Sequence, residues 1–222
     1  MDVTFILDTL QVMFPNARCE LNHTSDYELL IAVILSAQTT DQAVNKITPI
    51  LFANYPTPEA LAKGKLKEIE ACIRKIGLYH NKAMNIKACA QVLVRDYDGH
   101  VPSSFRKLLK LPGVGRKTAS VVSSVWFDIP SMPVDTHVER IAKRLGFAKF
   151  YDSVEVVEQK LKRKIKRKDW NQAHHLFIFF GRYHCSARNP KCVDCAFASF
   201  CKNKKFELYK KKLEKNDHKV SL

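Results

Sequence analysis

Between Lys110 and Ala119 the chain reads Lys-Leu-Pro-Gly-Val-Gly-Arg-Lys-Thr-Ala, and this stretch limits what the surrounding segments can build. Pro112 cannot continue the helix suggested by Ser104 to Lys110, and Gly113 and Gly115 permit backbone angles closed to other residues, so the chain can turn sharply there. A second helix then starts near Arg116. Its first N–H groups have no partners within the helix, and with the glycine amides they form a concavity suited to a phosphate oxygen. The pattern reads as a helix-hairpin-helix with Lys117 at the opening of its second helix. An ordinary glycine turn between two helices fits the same residues.

The rest of the chain predicts an all-α fold. Helix-spaced apolar residues with plausible boundaries run over 2–14, 27–36, 41–55, 58–76, 81–96, 104–110, 116–126, 137–145, 153–165 and 171–182, and no alternating strand pattern is evident. A faint echo of the hairpin occurs at Lys75-Ile76-Gly77-Leu78-Tyr79 followed by Lys82. With 222 residues the chain can bury one or two cores without disulfides. Met1-Asp2-Val3 lacks the basic start of a signal peptide and no apolar run approaches membrane-spanning length, so a cytoplasmic location is expected.

Two further groups of residues carry chemistry. Asp135 sits in a proline-punctuated loop that opens into a helix, where it can serve as N-cap, while Thr136 and Glu139 are spaced as a capping box. Taken alone this is a helix start. Cys185, Cys192, Cys195 and Cys201 form C-x6-C-x2-C-x5-C, close enough to surround one metal centre. In a reducing compartment disulfides are rare, which leaves zinc or an iron–sulfur cluster, and the spacing barely separates the two. Cys19, Cys72 and Cys89 lie in apolar helical settings and read as small hydrophobes.

Charge is distributed unevenly. The net charge is +15, yet residues 1–140 hold 16 Lys and Arg against 14 Asp and Glu, while residues 141–222 hold 21 against 8. Such a field attracts a polyanion and makes its binding salt-dependent. Most of the Lys160 to Lys168 run reads as a solvated helix face, whereas Arg188 and Lys191, between the first two clustered cysteines, are the better contact candidates. The tail with Lys210-Lys211-Lys212 is expected to add non-specific attraction.

Leu35-Ser36-Ala37-Gln38-Thr39-Thr40-Asp41, Ile76-Gly77-Leu78-Tyr79, Leu111 to Ala119, Val134-Asp135-Thr136-His137-Val138, Gly181-Arg182-Tyr183 and the four terminal cysteines occur in one order over about residues 20 to 201. Together they resemble the endonuclease III family of helix-hairpin-helix DNA glycosylases. The resemblance implies a six-helix central domain over 19–129 and a second helical domain built from 1–18 and 130–222, with the active cleft between the two lobes. It also implies a [4Fe-4S] cluster on Cys185, Cys192, Cys195 and Cys201 and action on damaged duplex DNA, and a monomer is the default expectation.

The same resemblance assigns roles. A base must leave the stack before its glycosidic bond can be reached. Gln38 would then fill the vacated space, Leu78 would wedge into the opposite strand, and Gly113, Val114, Gly115 and Arg116 would hold the backbone. Lys117 would attack C1′ as a neutral amine, with Arg116 and the helix N-terminus supplying positive charge nearby, and Asp135 would stabilise the charge developing on the sugar. The resulting Schiff base would permit β-elimination 3′ to the site. His137 would orient the phosphate or Asp135, or play a structural part. Ser120 departs from the asparagine many relatives carry.

Two other functions remain compatible with parts of the pattern. A non-catalytic DNA-binding module would use the hairpin and cysteines without needing Lys117 and Asp135 together. An adenine glycosylase would usually lack this lysine and carry a longer segment after the cysteines.

Overall fold

In a computed structural model of the chain, residues 2–203 are described. Those residues form α-helices joined by turns, without a β-strand, so the all-α expectation holds. They fall into two compact units, Cys19–Ser131 and Met1–Arg18 with Met132–Leu222, the second being described over 2–18 and 132–203.

The Cys19–Ser131 unit is organised around one fully enclosed helix. α2 (Asp26–Leu35) is capped by Ser25, whose side chain accepts from Glu28 N–H, and carries Asp26 and Glu28 where the helix dipole favours acids. Tyr27 and every residue from Leu29 to Leu35 are buried. A helix apolar all round belongs inside, and α2 packs against α3 (Asp41–Asn54), α6 (Tyr79–Tyr97) and α8 (Arg116–Val125). α1 (Val3–Met13) precedes it in the chain and belongs to the other unit.

Three helical expectations in this unit need correction. The helix expected over 58–76 is two, α4 (Pro58–Lys63) and α5 (Leu66–Ile73), because the chain leaves helical geometry at Gly64. There the backbone lies so close to Tyr55 that a Cβ would fall 2.6 Å from its ring, so only glycine makes the corner. The helix expected over 104–110 contracts to the single turn α7 (Phe105–Leu108). The helix expected to start near 81 starts at Tyr79, after Leu78.

The second unit holds α1, α9 (Thr136–Arg144), α10 (Val154–Lys164) and α11 (Trp170–Phe179). Ile6 and Leu10 of α1 are fully buried in the same core as Val138, Ile141, Phe147 and Phe177. The helix expected to reach 182 instead changes pitch at Phe180 and ends in a π-helical turn, Phe180–His184. Such turns insert one residue into the ladder and re-aim the residues after them. The first residue past this turn is Cys185, bonded through its N–H to Phe180 O.

Candidate active site

The hairpin is built by its glycines in two different ways. After α7, Leu111 N–H bonds Leu108 O and Val114 N–H bonds Leu111 O, closing a compact turn with Leu111 and Val114 buried. Gly113 has φ +76°, and a Cβ there would stand 3.0 Å from Asn85 Cβ and 3.1 Å from Ile34 Cγ2. It is glycine because of the protein itself. Gly115, the N-cap of α8, has φ −88° and ψ 177°, and a Cβ added there would meet no heavy atom within 4 Å. Nothing inside the protein asks for glycine at 115. An approaching backbone would, since the N-cap makes no side-chain bond and the amides of Arg116, Lys117 and Thr118, which begin α8, follow it directly.

Gln38 and Leu78 stand out by their backbone. Both adopt the left-handed region, with φ 54° and 59°, which costs about 1–3 kcal/mol per residue for side chains other than glycine. Gln38 is exposed, and Leu78 is an apolar side chain left 57% exposed at the N-cap of α6. Strain and exposure on one leucine are hard to account for by stability. Lys82, one turn into α6, is 4% exposed and its Nζ donates to Thr39 Oγ1 at 2.6 Å, which ties the Leu78 segment to the residue after Gln38. Burial depresses the Lys82 amine below its ordinary range.

In the other unit, Asp135 caps α9 as expected, its Oδ1 accepting from His137 N–H (2.9 Å) and Val138 N–H (2.8 Å). The capping-box partner expected at Glu139 instead pairs with Lys143 at 2.5 Å. Next to the cap, Arg140 Nη2 lies 3.2 Å from His137 Nδ1 and donates to Gly181 O at 2.7 Å. A guanidinium can only donate, so His137 Nδ1 accepts and Nε2 carries the proton. Burial first, together with Arg140 and Arg182, holds the His137 imidazole below its usual range despite Asp135. Gly181 permits this approach, because a Cβ there would lie 3.1 Å from His137 Cβ.

Arg144, at the end of α9, is 8% exposed and turns toward the cysteines. Its Nη1 donates to Cys185 Sγ (3.0 Å), Cys185 O (3.3 Å) and Ser186 O (2.9 Å). Its charge also acts on Cys192 and Cys201, opposing the rise that burial causes in both thiols. Cys185, Cys192, Cys195 and Cys201 are close enough to interact electrostatically. Among the described residues no group of three or more His, Cys, Asp or Glu could hold a single metal ion. A four-iron cubane places iron–sulfide edges between its thiolates and so spreads them wider than one ion does. A buried guanidinium directed at sulfur suits an anionic centre ligated by thiolates.

The loop carrying Arg188 and Lys191 is pinned at both ends, Lys191 N–H to His184 O (3.0 Å) and Asn189 N–H to Ser186 Oγ (3.2 Å). Arg188 through Asp194 line a concavity of about 540 Å³. The basic tail with Lys210 to Lys212 lies outside the described residues.

Sequence reasoning gave no role to Lys82, Thr39, Arg140 or Arg144, although Lys82 and Thr39 fall in stretches it singled out. A signal was present for some of them: Lys82 shares helical spacing with Ile86, Cys89 and Leu93, an ammonium on a buried face, and His137, Arg140 and Arg144 form one stripe of α9. The mutual approach of their partners, from distant parts of the chain, was not readable.

Residues 31–167 match the HhH-GPD superfamily of base excision DNA repair proteins. Endonuclease III of Bacillus subtilis (strain 168) is 50% identical over 200 residues, covering 90% of this chain and 91% of that one. The chain belongs to the endonuclease III family. Among solved structures, a trapped endonuclease III–DNA covalent intermediate, an estranged-adenine complex, superposes with TM-score 0.88 at 50% identity over 93% of this chain and 97% of that one. A non-covalent endonuclease III–DNA complex does so with TM-score 0.89 at 49% identity and the same coverage. These endonuclease III relatives span nearly the whole described chain, so the match reaches beyond the hairpin. No helix among the described residues is long and apolar enough to cross a membrane.

Proposed function

We propose that this chain is a bifunctional DNA glycosylase and abasic-site lyase that removes damaged bases, oxidised pyrimidines foremost, from duplex DNA. The observation that carries this reading is a primary amine, Lys117, in the first turn of α8 behind a glycine that nothing in the protein requires. A covalent endonuclease III–DNA intermediate, known for a relative 50% identical, needs such a nucleophile.

The amides of Gly113 and Gly115 and the N-terminus of α8 hold a phosphate of the damaged strand, with Arg116 beside them, while Val114, whose N–H is given to Leu111 O, holds the turn in shape. Leu78 enters the opposite strand and Gln38 fills the space the extruded nucleotide leaves; their strained, fixed backbones reduce the ordering cost of insertion. Lys117 Nζ attacks C1′, the base departs with its bonding pair and takes up a proton, and the C1′–O4′ bond then opens as the nitrogen loses its proton and O4′ gains one, which gives the Schiff base. Asp135, fixed by two backbone donors, stabilises the positive charge that develops on the sugar. Loss of a C2′ proton from the Schiff base expels the 3′ phosphate, and water releases Lys117. His137, neutral with its proton on Nε2, is a donor for a backbone phosphate.

Cys185, Cys192, Cys195 and Cys201 would hold a [4Fe-4S] cluster, which fits the buried Arg144 directed at Cys185 Sγ. Bound there, it supplies a rigid anchor for the loop from which Arg188 and Lys191 contact phosphates. The protein acts as a cytoplasmic monomer, and the 19–131 part carries the hairpin while the remainder carries Cys185, Cys192, Cys195 and Cys201.

The test is borohydride trapping on duplex DNA with one abasic site. The native protein should give a covalent adduct and strand cleavage, and Lys117→Gln neither. Absence of the adduct with folded, cluster-loaded protein would leave a monofunctional glycosylase or a DNA-binding module.

A further inference from the structure

Lys82 is buried, yet it lies on the face of α6 that also buries Ala83, Ile86 and Cys89. An apolar side chain of similar length would avoid the desolvation that an ammonium suffers there. No carboxylate compensates it among the described ion pairs; its Nζ donates to Thr39 Oγ1, 43 residues away, at 2.6 Å. One neutral hydroxyl offsets that desolvation only in part, so packing alone does not account for an ammonium at this position.

Its position suggests a purpose. Lys82 N–H bonds Leu78 O at 3.0 Å, so the stem of Lys82 is one helical turn from the Leu78 corner. Its far end reaches the hydroxyl of Thr39, whose N–H bonds Ser36 O at 3.0 Å and whose Oγ1 lies 3.5 Å from Ala37 O, bracketing Gln38. Gln38 and Leu78 are both left-handed residues, a conformation each corner would relax from if it were not held. One side chain thus spans the two strained corners.

We propose that Lys82 is a positioning residue which, through Thr39, locks the Gln38 and Leu78 corners at a fixed separation so that both side chains enter duplex DNA as one preset pair. The proposal rests on the glycosylase reading above. It predicts that Lys82 matters for opening a duplex and not for chemistry at a sugar already free of a partner strand.

Two abasic substrates separate these steps: a duplex, and the same strand alone. Lys82→Met keeps the aliphatic stem and removes the ammonium, and Thr39→Val removes the acceptor. Each should lower kcat/KM on the duplex about tenfold, equal to about 1.4 kcal/mol, and leave the single-strand lyase rate unchanged. The double variant should be no worse than either single, since one bond is lost in all three. Thr39→Val, at a partly exposed position, carries the test if Lys82→Met does not fold. Equal losses on both substrates, additive losses, or an unchanged duplex rate would overturn the proposal. Failure of the native protein to form an adduct on either substrate would overturn the glycosylase–lyase reading instead.

Discussion

Gly113 and Gly115 stand two residues apart in one turn, and replacing each by alanine should have opposite consequences. At Gly113 the left-handed backbone costs an alanine about 1–2 kcal/mol. The contacts at 3.0 Å to Asn85 Cβ and 3.1 Å to Ile34 Cγ2 add overpacking of about 1–3 kcal/mol, because both neighbours sit on helices that cannot easily withdraw. Loss of freedom in the unfolded chain returns about 0.4–1 kcal/mol. The net is a destabilisation of about 2–4 kcal/mol, or a Tm lower by about 5–15 °C for a chain of this size.

At Gly115 the backbone is ordinary and the space beside it is open, so Gly115→Ala should change stability by less than about 1 kcal/mol. The new methyl instead occupies the approach of a phosphate to the α8 amides, and affinity for abasic duplex should fall at least about tenfold. Thermal unfolding and fluorescence anisotropy with a labelled abasic duplex measure the two quantities on the same preparations. If Gly115→Ala lowered Tm as much as Gly113→Ala, or bound DNA like the native protein, the assignment of one glycine to the fold and the other to the ligand would be wrong.

Asp135→Asn should leave Tm nearly unchanged, because asparagine caps α9 as well as aspartate, while base excision falls by about a hundredfold or more for want of the negative charge. Asp135→Ala should lose the cap as well, at about 1 kcal/mol. Arg144→Met should purify with less iron and sulfide per chain than the native protein, measured by colorimetric assay, since it removes the guanidinium that donates to Cys185 Sγ. His175, whose pKa burial lowers from 6.5 to about 4, sets a pH dependence: the unfolded state binds the extra proton between those values. Its contribution is therefore complete above pH 6.5 and falls as pH drops toward 4, by about 3 kcal/mol in all. Urea unfolding at about pH 7 and about pH 4.5 should show a smaller difference for His175→Gln.

Much of the site was written locally. The hairpin needed only Pro112 and two glycines, the Asp135 cap only its place before an amphipathic helix, and the cysteines only their spacing. Each is a property of a few consecutive residues, decided by backbone sterics or hydrogen-bond valence. The family resemblance then supplied roles for Gln38 and Leu78 that composition could not.

The division of 58–76 at Gly64 was not legible because the clash that forbids a side chain there comes from Tyr55 after both have been placed. The change to π pitch at Phe180 and the strain at Gln38 and Leu78 are likewise consequences of packing. The sequence by itself determined that the chain is helical, where it turns at the hairpin, and which residues carry reactive groups. Only the tertiary structure decided that the two glycines serve different masters, that Arg144 faces sulfur, and that Lys82 reaches Thr39. Local propensity acts within a few residues, whereas burial and the pairing of polar groups depend on which distant segments meet.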